Sequence, residues 1–220
     1  MVKRALVNSR PWLLASLACA LAYFLLSDAR LPGVGLIALK GGGAALLAVY
    51  ALVRHSGIDA RLLAAAMALA AIGDIAIELD FGAGGLAFFF SHLAAMSLYL
   101  RNRRSQLMPS QKLFALTLLL FTPLIAYLLT ARTDDAVPVV LYALSLGAMA
   151  GLAWTSGFPR YRVGLGAVLF VISDLLIFAR MDILAYSPVP DWLIWPAYYL
   201  GQFMIATGVI QTLNRQLPKG

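Results

Sequence analysis

The run Gly164-Leu165-Gly166-Ala167-Val168-Leu169-Phe170-Val171-Ile172-Ser173-Asp174-Leu175-Leu176-Ile177-Phe178-Ala179-Arg180 decides the fold. It is apolar throughout except for Ser173, Asp174 and the terminal arginine, and polar and apolar positions do not alternate along it. Crossing a bilayer core about 30 Å thick takes roughly 20 helical residues. In lipid, only helices and closed barrels satisfy their own backbone, and a barrel strand would show a period of two. The run therefore reads as a transmembrane helix with one carboxylate inside it.

Seven more blocks of the same kind flank this one. Together they predict spans at about 12–27, 33–53, 62–79, 83–100, 112–130, 137–155, 164–180 and 191–212. The joints between them are short and carry the breakers, among them Asp28 to Pro32, His55-Ser56-Gly57, Phe81-Gly82, Gly157-Phe158-Pro159 and Ser187-Pro188. No joint has room for a soluble domain. The expected fold is an all-α polytopic membrane protein of eight transmembrane helices, forming a single transmembrane domain over residues 1–220.

Composition agrees: 62% of the residues are hydrophobic and 12% charged, about half the charged share of a soluble domain. The net charge of +7 does not point to nucleic acid, because the basic residues sit at helix ends and no zinc-finger or RNA-binding signature is present. Cys19 is the single cysteine, so neither a disulfide within the chain nor a cysteine-based metal site is expected. The basic start and apolar run of residues 1–29 imitate a signal peptide. With no small-x-small site after Leu26, this segment is expected to stay as the first helix.

Lys and Arg positions set an orientation. With the N-terminus inside, the inner segments hold Lys3, Arg4, Arg10, Arg54, Arg61, Arg101, Arg103, Arg104, Lys112, Arg160, Arg162, Arg215 and Lys219. The outer segments hold only Arg30, Arg132 and Arg180. The bias alternates at every loop, as the positive-inside rule requires, and places both termini in the cytoplasm. The Arg-, Ala- and Leu-rich composition reads as bacterial, so the inner membrane is the expected location. Ile72-Gly73-Asp74-Ile75 is also echoed, 100 residues later, by Ile172-Ser173-Asp174-Leu175. The echo suits two parallel four-helix halves.

Ionisable residues inside a bilayer are costly and are functional candidates by default. They are Lys40 in the second span, Asp74 and Glu78 in the third, His92 in the fourth and Asp174 in the seventh; Tyr198, Tyr199 and Gln202 join them from the eighth. At a rise of about 1.5 Å per residue, Lys40, Asp74, His92 and Asp174 lie roughly 9–15 Å from the outer ends of their spans. Gly41-Gly42-Gly43 beside Lys40 suggests close helix contact and a buried lysine. Each residue also has a structural reading: a salt bridge from Lys40 to an aspartate, an interfacial Glu78, or interhelical hydrogen bonds from His92 and Gln202.

Only two histidines occur, no HExxH spacing is present, and no G-x-S-x-G surrounds a serine. No metal or other cofactor is expected, nor a serine nucleophile. Two carboxylates and a lysine in a low-dielectric site need not all be charged. One Asp ionised beside Lys40 and one kept neutral would make an acid–base pair. The same set would serve a proton-coupled transporter or a lipid-binding membrane protein.

Gly166 to Asp174, followed by Tyr198-Tyr199-Leu200-Gly201-Gln202, resembles the YhhN-like lysoplasmalogenase family, whose pattern is similar to G-a-l-l-F-x-i-S-D and a later Y-x-x-x-Q helix. Gly73-Asp74, Ser91-His92 and Lys40 fall where that family has its G-D, its histidine and its lysine. The resemblance covers nearly the whole chain. One departure is Gly41, where the family lysine is commonly followed by proline. The resemblance implies hydrolysis of the vinyl ether bond of lysoplasmalogens to a fatty aldehyde and a glycerophospho-headgroup. Asp74 and Asp174 would be catalytic, and Lys40, Glu78, His92, Tyr198, Tyr199 and Gln202 would bind or support a lysophospholipid drawn from the surrounding membrane lipids.

Overall fold

A computed structural model describes residues 2–27 and 33–216, with side chains over 11–27 and 33–215. The joint at 28–32, Lys219 and the side chains of Lys3, Arg4 and Arg10 lie outside the described residues. Among these residues the chain forms α1 (Val2–Leu26), α2 (Gly33–Arg54), α3 (Ile58–Ala76), α4 (Phe81–Arg101), α5 (Pro109–Thr130), α6 (Ala136–Thr155), α7 (Leu165–Met181) and α8 (Val189–Gln216). A π-helical turn, Arg160–Gly164, leads into α7. The expected eight helices are all present, and the protein is an integral membrane protein.

Six helical segments are long and apolar enough to cross a membrane: Gly33–Arg54, Phe81–Arg101, Pro109–Thr130, Ala136–Thr155, Arg160–Met181 and Val189–Arg215. The other two differ for stated reasons. In α1 only Pro11–Leu26 is apolar. In α3, Asp59 and Arg61 near the start and Asp74 near the end dilute an alanine-rich helix. That helix also stops at Ala76, short of the expected 79. Glu78 thus stands in the turn after the helix, where its N–H still bonds Ile75 O at 3.3 Å.

The chain divides into two compact units, Met1–Ala95 with Val209–Gly220, and Met96–Gly208. The expected halves part between the fourth and fifth spans, whereas the units part within α4, and the end of α8 belongs with the first.

Lipid gives no hydrophobic drive for helices to associate, so small residues that let backbones approach closely supply the packing. In the first unit, Gly41 lies so close to α3 that a Cβ there would come within 2.6 Å of Ile75 Cγ1 and 3.1 Å of Ala71 O. The Ser16 hydroxyl donates to Gly43 O at 2.7 Å, tying α1 to the same glycine run. In the second unit, Gly147 and Gly151 sit one turn apart on α6. Cβ atoms there would lie 2.5 Å from Leu118 O and 2.9 Å from Ala115 O of α5. Gly166 of α7 and Gly201 of α8 meet in the same way, a Cβ on either lying 2.7 or 2.6 Å from the other's carbonyl oxygen. Large apolar side chains such as Leu120, Leu124, Leu128 and Leu141 point outward, as a lipid-facing surface requires.

Candidate active site

In the first unit, α2 and α3 carry the charged residues. Lys40 forms an ion pair with Glu78, their side chains being 15% and 38% exposed. The sequence suggested an aspartate as the lysine's partner; the ion pair is with Glu78. The turn ending α3 lets the longer carboxylate reach back toward α2. Beneath the ammonium lies Tyr23 of α1, its ring centroid 5.6 Å from Lys40 Nζ, within cation–π range. Three helices therefore converge on one lysine.

Asp74 lies one turn before Glu78 and is 2% exposed. The neighbouring Gly73 leaves room for Phe88 of α4, whose ring a Cβ would approach to 2.7 Å. Glycine before the aspartate is thus what lets α4 close over this turn. On α4, the buried Ser91 hydroxyl donates to Ala66 O of α3 at 2.8 Å. His92 beside it is 1% exposed, sunk into the first unit with Ser91.

The second unit holds Asp174, 5% exposed in an otherwise apolar helix. Two hydroxyls hold its carboxyl: Tyr142 of α6 donates to Oδ2 at 2.5 Å, and Ser173 donates to Oδ1 at 3.2 Å. Tyr142 is itself fixed. Its ring stands edge-on to Phe178, with centroids 6.0 Å apart at 87°, and packs on the core of Ala126, Val139, Ala143 and Phe178. The Asp174 carboxyl is thereby locked by neighbours on two helices rather than left to rotate.

On α8, Tyr198 and Tyr199 are buried in an aromatic cluster. Tyr198 packs on Phe170 (5.2 Å) and Trp195 (5.6 Å), and Tyr199 on Trp195 and Phe203 (both 6.2 Å). Gln202 follows on the same helix, 2% exposed, and its Nε2 finds no hydrogen-bond partner among the described residues. A buried amide donor without a partner costs free energy.

Every residue singled out from the sequence is thus accounted for. Lys40, Glu78, Asp74 and His92 fall in one unit, and Asp174, Tyr198, Tyr199 and Gln202 in the other. Tyr23 and Tyr142 were not anticipated. The sequence offered little signal, because each lies only four or five residues inside an expected span end (27 and 137), near where tyrosines commonly anchor at the interface.

Comparison with known proteins converges on one family. The YhhN family model matches residues 36–209, which takes in all eight of the anticipated residues. Proteins named lysoplasmalogenase from Mycobacterium bovis and Mycobacterium tuberculosis are each 28% identical over 195 residues, covering 82% of this chain and 72% of theirs. No solved structure matches.

Proposed function

Because the chain belongs to the YhhN family, we propose that it is a membrane hydrolase that cleaves the vinyl ether bond of lysoplasmalogens, the 1-alkenyl lysophospholipids. The mycobacterial relatives named lysoplasmalogenase support the substrate class. The observation that carries the reading is the environment of Asp174: a carboxyl buried in a membrane-length helix and gripped by two hydroxyls. Burial of that kind is expensive and tells of chemistry rather than solubility.

The reaction needs a proton donor, a proton acceptor and water. One aspartic acid gives its proton to the alkenyl carbon remote from oxygen, and the ether oxygen's lone pair stabilises the resulting oxocarbenium ion. Water adds to the cationic carbon and its proton passes to the other, ionised aspartate. The hemiacetal then collapses, its hydroxyl proton leaving as the glycerol oxygen takes one up. One water is consumed, and a fatty aldehyde and a glycerophospho-headgroup are released. Asp74 and Asp174 are the proposed acid–base pair. Lys40 is proposed to contact the phosphate, with Glu78, His92, Tyr198, Tyr199 and Gln202 supporting. The proposed setting is a bacterial inner membrane, with both termini cytoplasmic.

Asp74→Asn and Asp174→Asn test the pair. Each keeps the shape of the side chain but neither donates nor accepts the proton, so each should lower aldehyde release about 100-fold or more, with an unchanged elution profile in detergent. A variant that keeps near-normal activity would remove that residue from the chemistry.

A further inference from the structure

At one end of the second unit, two joints are knitted together. Gly157 N–H donates to Asn102 O at 2.7 Å, and Arg103 and Ser156 form an antiparallel bridge. Arg104 reaches across with Nε to Ser156 O at 3.3 Å and Nη2 to Phe158 O at 3.4 Å. With its amide oxygen turned toward Arg160, Gln111 accepts from Nη1 at 3.0 Å and Nη2 at 3.2 Å. Tyr99 and Phe158 close the floor, ring edge to ring face at 6.3 Å. The two joints form a fixed clasp.

Its charge has one sign. Arg101, Arg103, Arg104, Lys112, Arg160 and Arg162 lie in the stretches 99–113 and 155–165, and neither stretch contains an acidic residue. Arg104 and Arg160 hold the clasp, whereas Arg101, Arg103, Lys112 and Arg162 are exposed. The clasp stands at the ends of four of the membrane-length segments, Phe81–Arg101, Pro109–Thr130, Ala136–Thr155 and Arg160–Met181. Segments of that length end near the headgroups when they cross a bilayer. Tyr161, 80% exposed between two arginines, is the residue type that anchors there.

We propose that this clasp is a binding surface for the phosphates of anionic membrane lipids. Guanidinium forks match phosphate oxygens, and basic residues at a bilayer surface attract anionic headgroups. A charge that only sets topology needs no fixed geometry, whereas these joints are cross-linked by the six side-chain and backbone hydrogen bonds or bridges already named.

The test uses the purified full chain in detergent, supplied with equal amounts of phosphatidylglycerol and phosphatidylcholine, with native mass spectrometry counting retained lipids. The protein should retain phosphatidylglycerol in excess. The R103Q/R162Q variant should lose that excess, about fivefold for each arginine removed. The R54Q/R61Q variant, equally neutralised at the α2–α3 joint, should keep it. The proposal is overturned if R103Q/R162Q retains phosphatidylglycerol as the parent does, or if R54Q/R61Q loses it equally. Displacement of the lipid by millimolar inorganic phosphate would also overturn it, because a free anion would then be the ligand. Should the double variant not fold, R103Q alone must still lower the excess; an unchanged count would sink the idea.

Discussion

Asp174 was visible in the sequence because a carboxylate in an apolar run is costly to bury. The residue that grips it was not. Tyr142 is an ordinary apolar-run tyrosine until α6 and α7 are packed, when its hydroxyl lands 2.5 Å from Asp174 Oδ2. The same holds for Lys40, whose charge was conspicuous but whose partner, Glu78, depends on where α3 ends. Composition flags a buried charge; only tertiary geometry names its neighbours. Tyr142→Phe removes one hydrogen bond from the carboxyl and leaves the ring against Phe178. A hydrogen bond of this kind is worth roughly 0.5–1.5 kcal/mol, and about 1.5–3 kcal/mol when the acceptor is ionised. The variant should therefore show kcat lowered about threefold or more with KM little changed, measured by steady-state aldehyde release. A kcat equal to that of the parent would mean that Tyr142 only packs.

The helices from α2 to α8 were legible to within about four residues, because each is a mostly apolar block closed by breakers, whereas α1 starts at Val2, ten residues before the expected 12. Elsewhere the differences are local. α3 starts at Ile58, four residues before the expected 62, with Asp59 in its first turn where the helix dipole favours a carboxylate, and the turn after Ala76 releases Glu78 from the helix. α7 begins at Leu165, beside the expected 164, and a π-helical turn after Pro159, which the sequence did not foretell, leads into it. What no single-helix pattern could show was which glycines touch which backbone. Gly201 meets the Gly166 carbonyl, and the added Cβ of Gly201→Ala would lie 2.6 Å from that oxygen. Either α7 and α8 separate or the backbone shifts, at about 1–3 kcal/mol. Gly85→Ala, with nothing within 4 Å of its new Cβ, is the matched control. Thermal unfolding in detergent should show a lowered Tm for Gly201→Ala and none for Gly85→Ala; equal midpoints would contradict the contact.

For the whole molecule, the alternation of basic joints predicts the path of the eight apolar blocks through the bilayer, with both termini in the cytoplasm. The resemblance of scattered residues then gave a family, which the match over residues 36–209 establishes. The orientation is open to direct test. Fused to the C-terminus in a bacterial host, green fluorescent protein should fluoresce and alkaline phosphatase should stay inactive; an active phosphatase would reverse the assignment. The central claim is chemical, and aldehyde release measures it. Purified protein incubated with 1-alkenyl lysophosphatidylethanolamine should liberate fatty aldehyde, with none formed from the 1-acyl analogue. Folded protein that yields no aldehyde from the alkenyl lipid would contradict the account.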